Sequence, residues 1–114
     1  MLTLDALREY GADVDEGLMR CMNNEAFYLR LVKMAVADND MEALGQALQA
    51  GDLDRAFECA HSLKGVAANL SLTPIYGPVS EMTELLRSRS EADYGGLYDK
   101  AAAALKDLTA LCAE

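Results

Sequence analysis

The chain has 114 residues, 52% apolar and 25% charged, which is enough to bury one core without disulfides or metal and too apolar for disorder. Nineteen acidic against ten basic side chains leave a net charge of −9, which repels phosphate backbones and anionic lipid, so nucleic acid and membrane surfaces are poor partners. No apolar run reaches the roughly 20 residues of a membrane helix, and the acidic opening MLTLDALREYGADVDE is unlike a secretion signal, so a cytoplasmic location is expected.

In chain order, Thr3 is placed to cap a short helix that stops near Gly11. Asp13 to Glu16 has the spacing of a capping box and opens a second short helix through Met19 and Cys21. Asn23 and Asn24 break it. From Ala26 to Ala37, Phe27, Leu31 and Met34 together with Leu29, Val32 and Val36 cover most of a helix surface, while Arg30 and Lys33 stay out. This pattern predicts a central helix.

Asp38 to Asp40 interrupts the pattern and supplies a cap, after which Met41, Leu44 and Leu48 recur on one face until Gly51. Asp52 then caps a long helix whose apolar stripe is Leu53, Ala56, Ala60, Leu63, Ala67 and Leu70. Thr73 is the expected cap of the next helix, with Pro74 at its first position. Pro78 predicts either a kink or a start after Gly77.

Val79, Met82, Leu85 and Leu86 carry that helix to about Arg89, and SRSEAD reads as a polar loop. The last helix is expected from about Ala92 to Cys112, with Leu97, Tyr98, Ala101, Leu105, Leu108 and Cys112 on one side and Gly95 and Gly96 weakening its first turns. There is no strand period and no repeat. The expectation is a single all-α domain over 1–114: short N-terminal helices over about 1–22, then an antiparallel up-and-down four-helix bundle over about 24–112. Cys21, Cys59 and Cys112 are odd in number, far apart and without C-x-x-C spacing, which predicts reduced, mostly buried thiols.

The stretch AHSLKG, residues 60–65, holds the one histidine. On a helix His61 lies more than a quarter turn from the centre of the apolar stripe and points to water, with Asp54, Glu58, Lys64, Gly65 and Ala68 along the same strip. One imidazole and two carboxylates lack the further His or Cys ligands of a tight metal site, so no metal is expected. Ser62 is adjacent in sequence and therefore points elsewhere, which argues against a serine hydrolase.

An exposed imidazole suits phosphorylation of the ring itself, because a pKa of about 6.5 leaves much of it neutral and nucleophilic near pH 7. Lys64, one turn on, leans back toward it and would offset the added charge. Gly65 and Ala68 remove bulk beside the ring and admit another protein, at a cost for the glycine of about 1 kcal/mol of helix stability. Asp54 and Glu58 favour the protonated ring and oppose nucleophilicity until a partner screens them. With no Gly-rich phosphate loop, self-phosphorylation from ATP is not expected.

The stretch AHSLKGVAANL resembles the H-x-x-K-G motif of histidine-containing phosphotransfer (HPt) domains, carried on the second helix of a four-helix bundle. Upstream, DVDEGLMRCMNNEAFYLRLVKMAV is similar to the family's N-terminal segment, in which a short helix with Gly-Leu precedes a Tyr-Leu-rich first bundle helix, so the likeness extends over essentially the whole chain. The resemblance implies a phosphocarrier of a two-component phosphorelay rather than an enzyme, with His61 phosphorylated, Lys64 as the supporting cation and Gly65 as the gap. Asp54, Glu58 and Ala68 would belong to the partner surface.

It implies response-regulator receiver domains as partners, together with a hybrid histidine kinase, and no cofactor beyond the Mg²⁺ of the receiver. Two features depart from the family pattern: Ser71, where glycine commonly closes the motif helix, and the two prolines of TPIYGPVSE. The alternative is a helical module that binds receivers or other signalling domains without taking phosphate. A kinase dimerisation region would be an obligate dimer, whereas a monomer is expected here.

Overall fold

A computed structural model describes residues 2–113, and the described elements are all helices: α1 Leu4–Tyr10, α2 Val14–Arg20, α3 Glu25–Val36, α4 Asp40–Ala50, α5 Leu53–Asn69, α6 Thr73–Arg87 and α7 Tyr94–Ala113. Short polar side chains start most of them by accepting an otherwise unpaired first-turn N–H. Thr3 accepts from the Ala6 amide at 3.1 Å, Asn24 from Phe27 at 3.1 Å, Asp52 from Arg55 at 3.1 Å and Asp93 from Gly96 at 2.9 Å. Gly11 and Gly51 end α1 and α4 in the left-handed region, at φ 113° and 70°.

The capping box at α2 closes on one side only. Asp13 accepts from the Glu16 amide at 3.3 Å, but the Glu16 carboxylate takes Arg20 and the Asp13 amide donates to the Ser71 carbonyl at 3.0 Å. That tie joins the start of α2 to the end of α5.

Consecutive helices α4, α5, α6 and α7 pack as neighbours, most extensively α5 against α6, and α7 also touches α4. The 24–112 region thus holds five helices rather than four. The expectation that the 26–37 segment is central is corrected: α3 lies at the margin against α2 and α7, with Tyr28 and Val32 buried but Phe27 38% and Met34 62% exposed. One helix can turn only one stripe fully to a bundle: Leu29, Leu31, Ala35 and Val36 of α3 pack half-buried against the core, while Phe27 and Met34 face out. Ala56, Ala60 and Ala67 on α5 are buried and let the backbone of α6 come close. Val79 and Met82 are fully buried on α6, and Leu44, Ala101 and Leu108 are buried on α4 and α7.

The start of α6 also departs from expectation. Leu72 is its N-cap, Thr73 its first residue and Pro74 its second, and the helix runs on through Pro78. The Thr73 hydroxyl turns back to the Ser71 carbonyl at 3.5 Å instead of capping. Pro78 removes only the bond to the Pro74 carbonyl, close to the helix start, and the packing of α6 on α5 outweighs that loss. Among the described residues no helix is long and apolar enough to cross a membrane.

Helix α5 stops at Asn69 because Ser71 takes a left-handed conformation, φ 55°, with the Leu72 amide closing back on the Ala67 carbonyl at 2.9 Å. A side chain there is strained by roughly 1–2 kcal/mol, and among the described residues the buried Ser71 hydroxyl has no hydrogen-bond partner. Glycine would remove both costs. Ser71→Gly is therefore expected to raise the unfolding free energy by about 1 kcal/mol, read as a higher urea midpoint at unchanged slope.

Candidate functional site

Helix α5 carries His61 on the side away from its buried alanines, and the imidazole is exposed. One turn earlier, Phe57 lies parallel to it, ring centroids 5.6 Å apart and planes 9° from each other. The guanidinium of Arg87, from α6, sits over the Phe57 ring at 5.1 Å and donates through Nε to the Glu84 carboxylate at 3.1 Å. The hydrogen bond and charge of Arg87 hold the Glu84 carboxyl below the usual range, and Lys64 and His61 add to this while desolvation opposes it. Thus α6 brings a carboxylate and a cation to the edge of the histidine surface.

Lys64 is half-buried and, among the described residues, makes no ion pair with a carboxylate. Gly65 is exposed, and a Cβ built there meets nothing within 4 Å. Ser62 donates to Asp40 at 2.8 Å and so ties the α5 surface to the first turn of α4. Asp54 and Glu58 are both exposed; Asp54 is engaged by Arg89, which offsets one of the two anions expected to act on the ring. Ala68 is half-buried and borders a groove shared with Asp13, Glu16 and Arg20 of the α2 region, which places it at the edge of the site.

Cys59, two residues before the histidine, is buried, as is Cys21, while Cys112 is half-buried. Burial pushes the Cys59 and Cys112 thiols up, as expected of packing residues rather than nucleophiles. Among the described residues no group of three or more His, Cys, Asp or Glu could hold a metal ion.

A model of the Hpt domain family matches residues 34–114, which takes in the end of α3 and all of α4 to α7, with His61, Lys64 and Gly65 inside the match. The chain belongs to the Hpt domain family. No curated protein and no solved structure matches it. Hpt domains take part in phosphotransfer in two-component phosphorelays, carry the phosphoryl group without a catalytic site of their own, and interact with receiver domains and histidine kinases. The upstream segment with Gly17 and Leu18 lies outside the matched residues.

Three residues around the histidine of this Hpt domain were not singled out from the sequence: Phe57, Glu84 and Arg87. Phe57 stands four before His61, a helical neighbour position that the sequence alone displays. Glu84 and Arg87 come from another helix, and nothing local announces which turn of α6 would face His61.

Proposed function

We propose that the chain is a phosphocarrier whose His61 accepts a phosphoryl group from a receiver aspartate and returns it to one. The observation that carries this reading is the exposed imidazole with Lys64 one turn on and open surface at Gly65. In the forward step the lone-pair nitrogen of neutral His61 attacks the acyl phosphate in line. The N–P bond forms as the bond to the aspartyl oxygen breaks, and the carboxylate leaves. The receiver supplies the Mg²⁺, while Lys64 offsets part of the charge that the phosphoryl group brings to an already acidic surface.

In this reading Gly65 gives the receiver room, and Asp54, Glu58 and Ala68 lie at the border of its footprint. The whole chain acts as one Hpt domain, monomeric and cytoplasmic, with a hybrid histidine kinase upstream or downstream of the receiver. The test is transfer from radiolabelled phosphorylated receivers to the wild-type chain and to His61→Gln. Acid-labile, base-stable label that disappears in the variant is the expected result. Label that persists in the variant would place the phosphoryl group elsewhere, and absence of label from every receiver, with the fold intact, would favour a module that binds without accepting phosphate.

A further inference from the structure

Resting on the reading of His61 as phosphoryl acceptor, we infer that Phe57 is a positioning residue that fixes the plane of the His61 ring by stacking on it and is itself clamped from α6 by Arg87. A surface imidazole is ordinarily free to turn about its two side-chain torsions within nanoseconds. Here it is not alone. The two rings are offset and nearly parallel, at a centroid distance inside the range of attractive aromatic pairs. Side chains on a helix lean toward its N-terminus, so the ring of residue 61 comes to rest over residue 57.

Phe57 is in turn held. Arg87 lies within cation–π range of its ring, and the Glu84 carboxylate fixes the guanidinium from the same helix. The order Glu84, Arg87, Phe57, His61 therefore runs from the last turn of α6 to the reactive ring and couples its orientation to the α5–α6 contact, the most extensive in the fold. Held parallel to the Phe57 ring, the exposed imidazole keeps one plane as a phosphoryl group approaches. In-line transfer depends on alignment of nucleophile, phosphorus and leaving oxygen, so restricting the ring beforehand lowers the entropic part of the barrier. Phe57 touches no reacting atom of the partner and acts only through His61.

Because the chain has one histidine, its ring C–H signals in a carbon-correlated proton spectrum are unambiguous, and stacking on Phe57 shifts them by ring current whether or not the protein is ever phosphorylated. Phe57→Leu keeps apolar bulk but removes the aromatic face; it is expected to move those signals and to slow transfer about tenfold at saturating phosphorylated receiver, with the half-saturating concentration unchanged. Phe57→Tyr is expected to retain both the signals and the rate, and Arg87→Met to change both in the direction of Phe57→Leu by a smaller factor.

His61 signals that do not move in Phe57→Leu would overturn the stack itself. Signals that move while the rate at saturation stays at the wild-type value would overturn the positioning role and leave the carrier reading standing. A wild-type chain that takes no label from any receiver would overturn the carrier reading, and the positioning role with it, even where the ring signals still report the stack.

Discussion

Gly65→Leu is expected to slow phosphoryl transfer from a receiver by about 100-fold while leaving the fold as stable as before or more so. Ordinarily a large loss of function from replacing a helical glycine is traced to damaged packing, but there is none here to damage: beyond its own turn of helix, a Cβ at residue 65 meets no atom of the described residues within 4 Å. Leucine is a better helix former than glycine by roughly 0.5–1 kcal/mol, so the thermal midpoint should hold or rise. On the carrier reading proposed above, the side chain would stand one turn from His61 in the space through which a receiver brings its aspartyl phosphate to the ring. A displacement of about 1 Å at the reacting atoms is enough for a loss of that size.

The measurement that separates crowding from chemistry compares two donors. A phosphorylated receiver is large and should be hindered; phosphoramidate is small and should label His61 in Gly65→Leu at close to the wild-type rate. Gly65→Ala should fall between, with a modest loss toward the receiver and a clear gain in stability. Equal loss toward both donors would mean that residue 65 acts on the imidazole rather than on the partner, and the steric account would then be wrong.

The histidine surface was legible in the sequence because it is local. His61, Lys64 and Gly65 lie within five residues on one helix, and helical geometry alone sets their relation. The element order was legible for a similar reason, since Thr3, Asp13, Asn24, Asp52 and the glycines at 11 and 51 announce helix ends through their own backbone chemistry. What failed was non-local. Six apolar residues on α3 look like a central helix until one knows which stripe the bundle accepts. Pro78 looks like a break until the packing of α6 on α5 is weighed against one missing bond. Arg87, paired with Glu84, reaches Phe57 across a helix contact whose register no single-sequence pattern specifies.

The largest stability loss is expected for Gly17→Ala, about 2 kcal/mol, at a position where helix propensity alone would predict a gain of about 1 kcal/mol. Gly17 is buried in α2, and a Cβ there would stand 2.6 Å from Cε1 and 2.7 Å from the hydroxyl oxygen of Tyr28. Tyr28 is fully buried on α3, and its hydroxyl donates to the Leu70 carbonyl at 2.8 Å, at the turn where α5 ends. If the ring moves aside for a methyl group, the carbonyl is left unpaired, a loss of roughly 1–3 kcal/mol; if it stays, the contact is overpacked at a similar cost. Tyr28→Phe in the same background keeps Cε1 and Cζ but removes the hydroxyl that ties the ring to Leu70, so the ring can shift and the double variant should lose less than the sum of the single losses; strict additivity in a urea double-mutant cycle would refute the contact.

The buried Tyr28–Leu70 hydrogen bond also has a pH signature. Burial, aided by the nearby Cys21 and Asp13, pushes the Tyr28 phenol up to about 12 from its ordinary 10.0. Its folded-state pKa is raised, so its contribution is complete below pH 10 and is lost as the pH climbs from about 10 to about 12. Wild-type stability should therefore fall across that window, and Tyr28→Phe, though less stable at neutral pH, should fall less steeply there.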